Sequence, residues 1–517
     1  MKFPEKRRTV VVVGAGHNGL IAACYLARVG QNVLVLEQSA QPGGGSITAE
    51  RIPGYRFDTH SVAHNIINMT NIPKELNLVE AGLEYIEMNP FSVAIRADGK
   101  RVRFYRSVKA TVASIAESDE SEAKEYEAFI KMALPIVRTV IPAIRGETHL
   151  SEVPARLLNI TRVLSQGPTE VTRNLLSPYD SLLKRWLLSD LTRGPVSAFA
   201  AHAGVGPNVP GGAFFALWQA AYHLFGQWHA KGGSGALIEA LMRRLVSYGG
   251  QVRCCAPVAR IEAAGGKVER VLLESGEAIE ADAVITAMNP KVALLQLLDP
   301  PLEGRAGAGL AAAHTSNGVQ ALVHVATDRL PPYPDSCPDD YHGLQSYVDT
   351  LDEMTQGFIQ AEAGHLPDPL PLYAFTTSAI DDTLAPPGHH TVYLACPSAP
   401  AKIQGGWEAQ RDVFVERCLD VVESRAPGFR ASIQGVRAFT PLEMEQAACW
   451  PLAHPMYLDI TLDQLGPLRP TRRLGHHRTP VEGLYISGAG TNPTGGIAGT
   501  PGRLAAQALL HDWRKQK

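Results

Sequence analysis

The stretch Gly14-Ala15-Gly16-His17-Asn18-Gly19 constrains this chain more than any other. It follows the β-branched run Thr9 to Val13 and precedes Leu20 to Val29, an apolar, alanine-rich segment that closes at Gly30. A second β-branched run, Asn32 to Glu37, comes next and ends in an acid. Strand, glycine turn, helix and strand in that order form a βαβ unit of the dinucleotide-binding kind. Gly14 permits the tight turn, Gly16 lets the backbone approach a pyrophosphate, and Gly19 lets helix and strand pack closely. The helix N-terminus offers unpaired N–H groups to the phosphates. Glu37 is placed to accept hydrogen bonds from a ribose hydroxyl pair. A carboxylate there disfavours a 2′-phosphate, which argues against NADP.

With 517 residues the chain exceeds one ordinary core, since domains run roughly 100–200 residues. A formal net charge of −3 gives no electrostatic reason to expect nucleic acid. No apolar run approaches the roughly 20 residues that a spanning helix needs, so membrane contact, if made, is peripheral. The basic residues before Thr9 lack the apolar stretch of a secretory signal. The 7 cysteines are odd in number and form no Cys-x-x-Cys pair. That favours a reducing, cytoplasmic setting and no cysteine metal site.

Further along, Val112 to Ile144 has helical spacing, with Ser114, Ser118 and Glu120 as capping candidates and a break or kink expected at Pro135 and Pro142. A turn at Ser177 to Asp180 leads into a helix from Leu182 to Leu188. Ala236 to Tyr248 reads as a helix, then Gln251 to Cys255, Val258 to Ala263, Val268 to Leu273 and Ala278 to Thr286 as strands. Leu330 to Pro371, dense in proline and aspartate, reads as surface loop. A strand at Leu484 to Ser487 and a helix at Gly502 to Trp513 close the chain.

Three further segments accompany the glycine cradle: Pro42-Gly43-Gly44-Gly45-Ser46, Gly54-Tyr55-Arg56-Phe57-Asp58, and Gly483 through Gly499 with its Gly-Ala-Gly-Thr-Asn-Pro-Thr-Gly-Gly core. Together they resemble the phytoene desaturase-like FAD oxidoreductases. That group includes carotenoid desaturases, retinol saturases and the pyridine nucleotide-disulfide oxidoreductase domain 2 proteins. The spelling at Gly14 to Leu20 is most similar to the last of these, and flavin amine oxidases are more distantly similar. The resemblance implies FAD as cofactor and an α/β fold. A doubly wound, Rossmann-like FAD-binding domain would span 1–90, 228–300 and 475–517. An inserted α+β substrate domain would span 91–227 and 301–474. By position, it implies that Gly43 and Gly44 pass close to the FAD phosphates, that the backbone at Val258 approaches the adenine, and that Gly488, Gly490, Gly496, Ile497 and Gly499 lie beside the flavin ring. Members often carry arginine after the glycine doublet, where this chain has Gly45 and Ser46. They often read Phe-Asp-x-Gly-Pro where this chain has Phe57-Asp58-Thr59-His60-Ser61. The second departure sets an imidazole close to the expected ring.

His60 is accordingly one catalytic candidate, as base or substrate anchor. Lys231, before Gly232-Gly233, is the other, with a solvated turn lysine as the bland alternative. His60 and His64 would share a helix face, but no third ligand is evident, and no metal is expected. His17 reads as exposed or capping, and the pairs His389-His390 and His476-His477 as surface. The aromatic stretch Phe199, Phe214, Phe215, Trp218, Tyr222, Phe225 and Trp228 is core or a hydrophobic channel, with helical spacing joining Phe215, Trp218 and Tyr222.

A second nucleotide cradle is missing, so the electrons are expected to come from an organic substrate. The expected function is hydride removal from an apolar or partly apolar small molecule, with an external acceptor (oxygen or quinone) reoxidising the flavin. The alternatives are an amine oxidase-like enzyme that releases peroxide, or a low-turnover, flavin-stabilised binding protein. Oligomeric state is not legible.

Overall fold

The computed structural model describes residues 7–146, 153–165 and 167–516; the basic residues read before Arg7 lie outside them. Its organising element is a five-stranded parallel sheet in the order Leu484–Ile486, Ala283–Thr286, Thr9–Val13, Asn32–Leu36 and Gln251–Arg253. Val10 to Val13 pair with Ala283 to Thr286 on one side and with Val33 to Leu36 on the other. Thr9–Val13 is thus the point where strand order reverses, and the crevice beyond its carboxyl end is where such sheets bind ligands. Val10, Val11 and Val12 are wholly buried, as a strand covered on both faces requires. The helices His17–Arg28, Gly235–Ser247 and Thr500–Lys515 pack together against this sheet. Gly502 makes the close approach possible, because a Cβ there would lie 2.1 Å from the Asn18 carbonyl oxygen.

A four-stranded sheet flanks this layer, and the expected strand Ala278 to Thr286 splits between the two. Ala278–Glu280 pairs antiparallel with the hairpin strand Lys267–Leu273, whereas Ala283–Thr286 enters the parallel sheet.

The other large layer is a seven-stranded mixed sheet. Its order is Ile433–Phe439, Gly318–Thr327, His390–Pro400, Tyr373–Phe375, Leu344–Ser346, Ser92–Ile95 and Arg101–Phe104. Helices between 108 and 225 cover one of its faces through a core that joins Phe91, Tyr126, Phe129, Ile130, Leu182 and Leu217. The expectation of an α/β fold with an attached α+β layer is met.

Several local expectations are corrected. Leu330 to Pro371 is not a surface loop: it contains the buried strand Leu344–Ser346 and the helix Leu351–Glu362. Val112 to Ile144 is two helices, Val108–Ala116 and Glu120–Arg145, and the second runs through both prolines. Burial of Tyr126, Phe129, Ile130, Ile136 and Val137 on one side outweighs the lost N–H groups. The caps are Ser107 and Asp119 rather than Ser114, Ser118 or Glu120. Ser114 is spent on the Arg103 backbone N–H at 3.0 Å. Phe215, Trp218 and Tyr222 do not share one helix, because the chain turns at Trp218 between Ala213–Leu217 and Gln219–Phe225.

Candidate active site

The glycine cradle forms where the sequence places it. Gly14 has φ +102°, and a Cβ on Gly19 would lie 2.0 Å from the Gly14 carbonyl oxygen. Both are therefore required by the turn itself. Gly16 differs: its backbone is extended at φ −68°, ψ 169°, and nothing lies within 4 Å of where its Cβ would be. No side chain caps the helix that begins at His17, so its first N–H groups face open space. Gly43 and Gly44 close the other side. Gly43 donates to the Ala15 carbonyl at 3.1 Å, and a Cβ on Gly44 would touch Gly16 Cα at 3.4 Å.

Two cavities meet over Gly16. One, of about 260 Å³, is lined by Glu37, Ser39, Ala256, Val258 and Cys449, among others. The other, of about 220 Å³, is lined by His17, His60, Gly488, Gly496 and Ile497 and by a group of aromatic residues. Both include Gly16, Gly44, Ala287, Trp450 and Tyr457, so they are the two ends of one elongated cleft. Glu37 sits at the far end with its carboxylate oriented by two backbone donors, Ala15 N–H and Ser39 N–H, each at 2.9 Å. A cleft with an acid at one end, a Cβ-free floor in the middle and the bare N-terminus of the helix from His17 beside it suits an elongated dinucleotide with a ring at its near end. Ser46 Oγ and Asn18 Oδ1, buried beside the cradle, have no partner among the described residues, which fits a polar occupant.

The proposed site glycines divide by what they face. Gly14, Gly16, Gly44, Gly488 and Gly496 border the cleft, together with Glu37, Val258 and Ile497. Gly43 is the turn behind Gly44. Gly19, Gly490 and Gly499 face packed protein: added Cβ atoms there would meet Gly14, Pro290 and Ile21 respectively. Gly45, where arginine is frequent in the resembling group, would carry a Cβ 2.9 Å from Trp450. The tryptophan occupies the room a side chain would take.

His60 lines the near cavity and meets Trp450 edge-on with ring centroids 5.1 Å apart. Its Nε2 has no hydrogen-bond partner among the described residues, and the Tyr393 hydroxyl donates to its backbone carbonyl at 2.8 Å, which fixes this stretch of chain. Burial pushes the His60 imidazole down to about 4, helped by the neighbouring His202 and His454. His17 also faces the cavity instead of being exposed; it bonds the Gly496 carbonyl at 3.2 Å, and burial lowers it to about 4. His64 is structural, held between the Tyr85 hydroxyl and Ser234 Oγ. No cluster able to hold a metal exists among the described residues. His477, expected at the surface, is buried against the Ile486 carbonyl.

Lys231 is not at the cavity. Its ammonium lies 3.4 Å from Glu84 and is half-exposed. Buried carboxylates hold the turn after it: Asp381 accepts from Gly232 N–H and from His229 Nε2, and Asp58 accepts from Ser234 N–H and Thr48 Oγ1. With the backbone fixed this way, the Lys231 side chain is left facing solvent.

The rest of the near cavity comes from distant chain segments. The aromatic stretch contributes Phe199 and Tyr222. The seven-stranded sheet adds Gln320, Tyr373, Phe375 and Tyr393, and the segment 450–457 adds Trp450, Met456 and Tyr457. None of the lining residues carries a carboxylate, an ammonium or a guanidinium. Burial holds His17, His60 and His202 neutral to about pH 4, so the lining has no formal charge at neutral pH.

These neutral histidines set a stability prediction. The folded state binds fewer protons than the unfolded chain between the folded values near 4 and the unfolded 6.5 for His17, His60, His202 and His223. Stability is therefore full above pH 6.5 and falls as pH drops toward 4, by up to about 1.4 kcal/mol per unit for each group. Asp58, raised by burial to about 6, and Glu353, raised by burial to about 7, act in the opposite sense, but they are two groups against these four histidines. Thermal melts should show the midpoint descending steadily below pH 6.5; a flat midpoint down to pH 4.5 would contradict this.

Residues 19–510 match the family described as flavin containing amine oxidoreductase. The chain is 29% identical over 545 residues to the rat pyridine nucleotide-disulfide oxidoreductase domain-containing protein 2, covering 97% of this chain and 93% of that protein. It is 24% identical to a lycopene-forming phytoene desaturase of Pseudescherichia vulneris, over 97% of this chain and 99% of that one. Among solved structures, an oxidoreductase from Methanosarcina mazei superposes with a TM-score of 0.64 at 16% identity, over 97% of this chain and all of that chain, with 100% coverage. Cradle, cleft and these likenesses agree: the chain belongs to the flavin-containing amine oxidoreductase family, a family of FAD-dependent oxidoreductases.

Proposed function

We propose that this enzyme binds FAD along the cleft from Glu37 to Gly496 and removes hydride from an uncharged, largely apolar organic molecule. The observation that carries the reading is the near cavity, whose lining is rich in aromatic rings and carries no formal charge. Holding a permanently charged substrate there would cost several kcal/mol of desolvation with no counter-charge in reach. Bound in the cleft, FAD would supply the two-electron acceptor.

The chain's own residues do the rest. Phe199, Phe375 and Trp450 exclude water and orient the substrate. His60 Nε2, neutral and unpartnered, is available to accept a proton from the substrate. Likeness to a phytoene desaturase supports the choice of a hydrophobic substrate. An acceptor from outside, oxygen or a quinone, would then reoxidise the flavin.

Anaerobic mixing tests this. Uncharged apolar substrates should bleach the flavin, while NADH and NADPH leave it oxidised, because one dinucleotide cradle is present and FAD fills it. Rapid bleaching by a nicotinamide, or by amines alone with peroxide release in air, would overturn the reading.

We also propose peripheral membrane contact through helices Val153–Leu164, Pro168–Leu176 and Tyr179–Trp186. Leu158, Leu164 and Leu176 stand more than half exposed on these helices, as does Leu188 just after the last of them, and Arg162, Arg173, Lys184 and Arg185 lie on the same helices. Exposed leucines with cations suit an anionic lipid surface. No helix among the described residues is long and apolar enough to cross a membrane. The protein should co-sediment with phosphatidylglycerol vesicles and lose most of that binding in a Leu164→Glu, Leu176→Glu double variant; equal recovery of both proteins would refute the contact.

A further inference from the structure

The near cavity holds a further cluster of polar side chains that no step of the proposed reaction engages. His202, Tyr222 and Tyr373 line it together. They are joined through Phe199 and by direct ring contact: Phe199 meets Tyr222 at 4.3 Å, and His202 meets Tyr373 at 4.4 Å between centroids. His202 Nδ1 lies 3.3 Å from the Phe199 carbonyl. A carbonyl oxygen only accepts, so Nδ1 carries the proton and Nε2 presents a lone pair. That Nε2 makes no hydrogen bond among the described residues. The Tyr373 hydroxyl accepts from Gln320 Nε2 at 2.9 Å, which leaves its own proton free to be donated. The Tyr222 hydroxyl bonds nothing among the described residues. Burial raises both phenols above their ordinary value, so they remain protonated donors at any working pH.

One acceptor and two donors thus border one uncharged chamber, alongside His60 and the amides of Asn18, Asn65, Gln227 and Gln320. Buried polar groups are ordinarily satisfied, and a pocket with a few convergent polar atoms is how a site fixes the orientation of a ligand. A hydroxyl group both donates and accepts, so a single uncharged substituent of that kind can satisfy the imidazole lone pair and a phenol proton at once. We infer that His202, Tyr222 and Tyr373 form a hydroxyl-binding subsite, and that the substrate is an alcohol whose apolar body lies toward His60 and the cofactor cleft. The cavity of about 220 Å³ would be shared with the ring of a bound flavin, so it admits a compact molecule or the hydroxyl-bearing end of a longer one. This inference rests on the uncharged-substrate reading and specifies its chemical class.

The test compares three probes of one skeleton on the FAD-loaded enzyme, read as perturbation of the flavin spectrum under anaerobic titration: 4-phenylbutan-2-ol, butylbenzene and 4-phenylbutan-2-amine. Partition from water alone favours butylbenzene. The subsite predicts the reverse, with the alcohol bound at least about 10-fold tighter, the scale of one or two well-made hydrogen bonds. His202→Phe and Tyr373→Phe should each cut that preference to less than about 3-fold at unchanged FAD content, and His202→Gln, which keeps an acceptor, should retain more of it. If butylbenzene binds as tightly as the alcohol, if no probe perturbs the flavin, or if the variants leave the preference intact, the subsite is wrong. Tightest binding by the amine, with flavin bleaching, would overturn the uncharged-substrate reading as well. Preference for butylbenzene with the amine ignored would overturn the subsite alone.

Discussion

Gly16→Val should give a folded protein that has lost its flavin. The extended backbone at Gly16 suits valine, and the space its Cβ would enter is free of protein atoms. The unfolding free energy of the cofactor-free protein should therefore stay within about 0.5 kcal/mol of its parent, as for a substitution that disturbs no packing. That same space is the floor shared by both ends of the cleft, across which FAD bound as proposed would lay its pyrophosphate. Affinity for FAD should fall at least about 100-fold, or some 2.8 kcal/mol. Gly19→Val is the contrasting variant. Its Cβ would sit 2.0 Å from the Gly14 carbonyl oxygen, so it should damage folding itself, by more than about 3 kcal/mol or by complete insolubility. Fluorescence titration with FAD and denaturant melts separate the two effects. Parental FAD affinity in Gly16→Val would show that the cofactor does not cross this turn.

The second large effect is expected at Arg469, whose guanidinium is wholly buried. It donates to the carbonyls of Met456, Leu458, Asp459, Gln464 and Ala489. Burial pulls it down to about 9, still protonated at neutral pH. It therefore ties the segment carrying Met456 and Tyr457 to Ala489 in the C-terminal glycine loop, and all three of those residues wall the near cavity. Arg469→Met strands several buried carbonyls at once, each worth about 1–3 kcal/mol when left unsatisfied. Stability should fall by at least about 3 kcal/mol, and flavin fluorescence should rise as the wall loosens. Arg469→Lys should fall between the two, since three donors cannot serve five carbonyls. A urea midpoint within error of the parent for Arg469→Met would contradict this role.

The features legible in the sequence are those set by neighbours in the chain. The cradle from Gly14 to Gly19 and the acid at Glu37 are local: turn geometry, helix start and strand end lie within one βαβ unit, and the structure reproduces them. The wall opposite the cradle is not local. Trp450 and Tyr457 lie in a stretch with no regular period, where Cys449, Leu452, Ala453 and Tyr457 all adopt positive φ without being glycine. No composition rule points to such a segment. Gln320, Tyr373 and Tyr393 reach the cavity because three strands are brought side by side by pairings between residues far apart in the chain. The buried strand Leu344–Ser346 was hidden for the same reason: it is short, and its pairing with Ser92–Ile95 is long-range. One missed element did leave a local signal. Thr350 caps the helix Leu351–Glu362 by accepting from Glu353 N–H at 3.0 Å, and a Thr-x-x-Glu spacing before an apolar run marks a helix start. Proline density around it drew the reading toward loop. His60 is visible as a departure from a familiar pattern, whereas the solvent-facing direction of Lys231 depends on Asp58 and Asp381, which come from distant parts of the chain.

The measurement closest to the central claim is the identity and amount of the chromophore released when the purified protein is denatured. A cleft of this length, with Glu37 at one end and Gly496 at the other, predicts a yellow protein that releases close to one FAD per chain, identified by chromatography and mass. Release of FMN, or a colourless protein that takes up no added FAD, would contradict the account.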